Sequence, residues 1–109
     1  MKEYRIVLES QLGPRAGTLR LEEEKEGAVT GWITLLGVEN AALGEWIGEH
    51  MIRLPHRLCT RVSDLKCVSV FRLEGSKIFG TLQNDTNTMF WHGEKVSDEK
   101  GGIEEDAGE

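Results

Sequence analysis

One feature constrains this chain more than any other: apolar and polar side chains alternate with period two, and glycines or polar turns interrupt the pattern about every ten residues. In Glu3–Ser10, Tyr4, Ile6 and Leu8 point one way while Arg5, Val7 and Glu9 point the other. Leu12-Gly13-Pro14-Arg15-Ala16-Gly17 follows, and Pro14, with its fixed φ and no N–H, predicts a strand break there. Thr18–Glu24 resumes with Leu19 and Leu21 inward, and the charged run Glu22–Gly27 reads as a hairpin loop. Its adjacent carboxylates alternate in direction on an extended chain, so they do not converge on a cation.

Ala28–Gly37 is the strongest strand signal. Val29, Gly31, Ile33 and Leu35 share one face, and Thr30, Trp32, Thr34 and Leu36 share the other. Apolar groups on both faces point to a central strand or one at an interface. Gly31 within it predicts a bend or a close approach of another segment.

Residues 38–54 leave two readings open. Leu43, Trp46, Ile47, His50, Met51 and Leu54 have helical spacing, with Asn40 as cap and Pro55 beyond the end. Gly44 and Gly48 weaken a helix by about 1 kcal/mol each, which favours a loop and a strand near Glu49–Leu54. Leu58–Val62 and Cys67–Leu73 read as strands, the latter with Cys67, Ser69, Phe71 and Leu73 on one face. Glu74–Lys77 and Asn84–Asn87 are turns, Ile78–Gln83 is a strand, and Thr88–His92 is the last strand. The expected fold is all-β: a meander-like antiparallel barrel or curved sheet of six to eight strands, with at most one short helix.

Charge divides the chain. Residues 95–109 hold six acids and two lysines, which leaves −2 of the total −6 for residues 1–94. The expected organisation is a barrel domain over 1–94 and a disordered acidic tail over 95–109. A body so near neutral offers no field for nucleic acid, and Arg53, Arg57, Arg61 and Lys66 read first as a solvated face. The N-terminus has no apolar signal segment, and no apolar run approaches a membrane span. The expected compartment is cytoplasmic, with Cys59 and Cys67 reduced.

The pattern Tyr4-x-Ile6-x-Leu8, Leu12-Gly13-Pro14-Arg15-x-Gly17-Thr18-Leu19-x-Leu21 and Gly31-x-Ile33-x-Leu35-Leu36-Gly37 resembles small uncharacterised bacterial proteins built as glycine-punctuated antiparallel β-barrels. Gly80-Thr81-Leu82 and Trp91-x-Gly93 are in the same style, so the likeness covers roughly residues 4–93. It implies a fold. It brings no activity and no catalytic residue.

Chemistry-bearing motifs are sparse. His56 and Cys59 lie three apart with Cys67 beyond, too thin a pattern for zinc without His50 or His92 brought alongside. The plainer expectation is two buried thiols and surface histidines, with Cys67 in the core. A Cys59–histidine nucleophile is the enzymatic alternative. No phosphate loop, nucleophile elbow or metalloprotease motif occurs, and no cofactor is expected. The aromatics are the best lead, with Trp32, Trp46, Trp91 and Tyr4 as candidate ligand-binding residues. The leading expectation is a non-enzymatic binding or interaction module, with a homo-oligomer interface or protein partner. The alternative is a small apolar ligand held inside the barrel.

Overall fold

The computed structural model describes residues 2–59 and 64–98. Over these residues eight antiparallel strands follow one another and close into a barrel, the last pairing with the first. They are β1 (Lys2–Ser10), β2 (Gly13–Glu23), β3 (Ala28–Leu35), β4 (Val38–Trp46), β5 (Met51–Cys59), β6 (Asp64–Glu74), β7 (Lys77–Gln83) and β8 (Thr88–Asp98). A short 3-10 turn at Lys25–Gly27 is the one helical piece described. The all-β antiparallel barrel expected from the alternation is therefore the fold observed.

Alternation also assigns the faces. Tyr4, Ile6 and Leu8 of β1, Leu19 and Leu21 of β2, and Val29, Ile33 and Leu35 of β3 are all buried. Phe71 and Trp91 pack across the interior with ring centroids 5.5 Å apart. Arg5, Glu9, Glu22, Arg53 and Arg72 are exposed on the outside. An apolar inside and a charged outside reverse the pattern of a transmembrane barrel. Among the described residues no helix is long and apolar enough to cross a membrane.

Eight strands give an interior that side chains just fill, provided the sheet can coil tightly enough to close. Gly93 permits this at the β1/β8 closure: a Cβ there would overlap the carbonyl oxygen of Arg5. Gly31 answers the close approach expected of it, since a Cβ would lie 2.9 Å from Cδ1 of Leu54.

Several expectations are corrected. Pro14 does not break a strand; it pairs with Glu9 in β2, and the turn is at Gln11–Leu12. Proline fits because β2 pairs with β3 only from Gly17 onward, so this stretch has no ladder on its other side. Val38–Trp46 is a strand, neither loop nor helix. Leu36 and Gly37 both take positive φ (54° and 80°), a two-residue reversal that lays β4 directly along β3. That ladder overrides a helical pattern already weakened by two glycines. Leu36 accordingly lies in the turn and not on the strand face. The separate strands expected at 49–54 and 58–62 are one strand, β5, running through Pro55; residues 60–63 lie outside those described. β8 continues to Asp98, with Lys2 opposite Asp98 and Tyr4 opposite Lys95, so the barrel does not stop at residue 94. The expected tail beyond it, residues 99–109, lies outside the described residues.

Candidate functional site

The β4/β5 ladder is the shortest in the barrel. It consists of Glu45↔Arg53 and Trp46↔Ile52 alone, whereas β5 and β6 pair from Met51↔Arg72 to Cys59↔Asp64. Pro55 accounts for the end of this ladder, since it supplies no N–H for the next rung. Gly44 lets the strands approach closely just before it, as a Cβ there would overlap the carbonyl oxygen of Arg53. Beyond that point β4 and β5 carry no ladder pairs, and a cleft of about 810 Å³ occupies the seam and the adjoining barrel mouth.

Its β4 wall is Asn40, Ala41, Ala42 and Leu43, and its β5 wall is Pro55, His56 and Arg57. Lys66, Cys67 and Val68 of β6 continue the surface, and Gln83, Asn84 and Asp85 close the mouth side. Nδ2 of Asn40 is buried there with no hydrogen-bond partner. Such an orphaned donor costs about 1–3 kcal/mol in desolvation.

Below the cleft a polar chain enters the apolar core. The indole N–H of Trp91 donates to Oγ of Ser69 at 2.9 Å, and that hydroxyl lies 2.7 Å from Nε2 of His56. His56 Nδ1 lies 3.1 Å from the carbonyl oxygen of Arg57. A carbonyl only accepts, so Nδ1 carries the imidazole proton and Nε2 accepts from Ser69 O–H. The chain therefore has one consistent direction, from Trp91 through Ser69 and His56 to the β5 backbone. Burial lowers the pKa of His56, with the Arg57 carbonyl acting weakly in the opposite sense. The ring is neutral at pH 7, as this wiring requires.

Cys67 is the direct cross-strand partner of His56 and also lines the cleft. Burial raises the pKa of its thiol. A neutral thiol beside a neutral imidazole is not the thiolate–imidazolium pair that nucleophilic catalysis uses. Ser69 has a histidine acceptor, but it is fully buried and no substrate atom reaches its oxygen. Cys59 stands opposite Asp64 in the β5/β6 ladder, and its side chain lies outside those described.

The four aromatic candidates do not converge. Tyr4 and Trp91 are buried in the core. Trp32 lies on the outer face with the Arg20 guanidinium 5.3 Å from its ring centroid. Trp46 faces a separate hollow of about 420 Å³ at the opposite mouth, with Leu21, Val29 and Leu73. The histidines are also dispersed. His92 is outside, bonded to Glu9 at 2.6 Å, and His50 is in the β4–β5 connection. His56 is buried, which corrects the expectation that all three lie on the surface. Among the described residues no group of three His, Cys, Asp or Glu side chains gathers as a metal site.

The sequence did carry a signal for the site that was found. Ser69 falls between Cys67 and Phe71 on an inward face, and a buried hydroxyl there needs partners. Reading β5 through Pro55 would have put His56 on the same inward face as Ile52 and Leu54. No protein-family model, curated protein or solved structure matches this chain.

Proposed function

We propose that the protein is a non-enzymatic binding module whose β4/β5 seam receives a small ligand. The carrying observation is the contrast between a filled barrel and this one opened seam. Tyr4, Phe71 and Trp91 occupy the interior, so a ligand held wholly inside the barrel has no support. The cleft instead combines an apolar lining of Ala42, Leu43, Pro55 and Val68 with one donor that lacks an acceptor, Asn40 Nδ2. Apolar walls with a few polar groups are the usual make-up of a small-molecule site.

A titration of the ¹⁵N-labelled protein with a panel of small amphipathic molecules tests the reading. Binding should move the Asn40 side-chain amide and the backbone amides of Ala42, His56 and Val68 together. Saturable shifts confined to other surfaces, or no shifts at all, would end it.

One feature of the outer wall favours a second reading, self-association or a protein partner. Phe79 and Phe90 are 43% and 58% exposed and sit diagonally across the β7/β8 ladder. Sedimentation of the wild type against Phe90→Ser tests the first of these: a shared monomeric mass would remove self-association.

A further inference from the structure

We propose that the outer wall formed by β5, β6, β7, β8 and β1 is the interface of a symmetric dimer, with its two-fold axis along β7 at Thr81. This rests on the self-association reading above and names the occupant as a second copy of the chain. One row of side chains carries the inference. Arg53, Val70, Thr81, Phe90 and Glu9 are successive cross-strand partners from β5 to β1. Each has a buried neighbour in its own strand (Ile52, Phe71, Leu82, Trp91 and Leu8 in turn), so all five stand on the outer face. The row reads cation, apolar, threonine, apolar, anion.

A two-fold interface must be complementary to itself. A half-turn about β7 carries either end of this row onto the opposite end in the second copy. Arg53 then faces Glu9 of the second copy, Val70 faces Phe90, and Thr81 faces its own image. The adjoining row is Met51, Arg72, Phe79, His92 and Val7. The same half-turn sets Met51 against Val7 and Phe79 against itself. Arg72 and His92 also meet, each already bonded to a carboxylate, Glu74 and Glu9. Shape agrees with charge. Met51, Val70, Arg72, Phe79, Gly80 and Thr81 line a hollow of about 310 Å³ on this wall. The operation that joins Arg53 to Glu9 lays the exposed Phe90 of one copy over this hollow in the other. Aromatic anchors inside and charge pairs at the rim are the usual anatomy of an interface.

Sedimentation of the full chain should show a monomer–dimer equilibrium between about 10 μM and 1 mM, the range suited to an interface near the low end of about 1,200 Å². Arg53→Glu and Glu9→Arg each bring like charges together at both rims, and each should weaken the dimer about tenfold. Mixed in equal amounts, the two variants should regain the dimer, because both rims of the mixed pair then join opposite charges. Both positions are exposed, and circular dichroism matching the wild type checks that each variant folds. A dimeric wild type whose affinity neither reversal changes, or whose reversals mixing does not rescue, would overturn this two-fold and leave self-association standing. A wild type that stays monomeric throughout the range would overturn both.

Discussion

Oγ of Ser69 lies 2.7 Å from Nε2 of His56, and the same oxygen accepts the indole N–H of Trp91 at 2.9 Å. One hydroxyl thus satisfies two polar groups contributed by two other strands. Ser69→Ala leaves the imidazole Nε2 and the indole N–H buried without partners. At about 1–3 kcal/mol for each orphaned group, the variant should lose about 2–6 kcal/mol, less whatever a water recovers. Urea denaturation should show this as a lower midpoint with an unchanged slope. A change below about 0.5 kcal/mol would mean that the chain contributes nothing to stability.

The same histidine sets a pH dependence. Its folded-state pKa lies below the ordinary histidine value of about 6.5, because burial disfavours the charged ring. Between those two pKa values the unfolded chain binds the proton that the folded chain refuses. This contribution is fully present above about pH 6.5 and is lost as the pH falls toward the folded value. Unfolding free energies measured from pH 7.5 to 5 should decline, and His56→Gln should flatten part of that decline. An identical slope in the variant would move the effect to other groups.

Leu36 is 59% exposed and holds φ at 54°, a backbone region that costs a branched residue about 1–2 kcal/mol. With Gly37 at φ 80° it forms the two-residue reversal for which Asn-Gly is the favoured pair. Leu36→Asn should therefore stabilise the barrel by about 0.5–1 kcal/mol, read as a higher thermal midpoint. Destabilisation would show that the leucine makes contacts that outweigh its backbone strain.

Gly93 faces the carbonyl oxygen of Arg5 at the β1/β8 closure. Gly93→Ala forces that backbone apart and should cost about 3 kcal/mol or more, at the upper end of overpacking effects. Hydrogen exchange should show lost protection concentrated in β1 and β8. Uniform loss across all strands would point to a barrel that opens only as a whole.

Cys67 is 4% exposed, with its thiol pKa raised by burial. In a Cys59→Ser background, alkylation by iodoacetamide at pH 8 should be slow in buffer and rapid in 6 M urea. Fast native alkylation would place the thiol at the cleft surface and reopen the nucleophile reading.

By itself the sequence determined the β class, the inward sets such as Tyr4, Ile6 and Leu8, and the core placement of Cys67, because period-two alternation is a local consequence of strand geometry. It did not determine β4, Val38–Trp46, whose strand state comes from the ladder with β3 and prevails over both the loop and the helical spacing open for residues 38–54. Nor did it determine which aromatics meet: Trp32 and Trp91 read alike in the chain, yet one is outside beneath Arg20 and the other is bonded to Ser69. Those outcomes depend on register and closure, which bring residues such as Ser69 and Trp91 together from separate strands. The seam follows the same logic. Pro55 is visible in the sequence, but only its placement where β5 meets β4 turns a missing N–H into the end of a ladder beside a cleft.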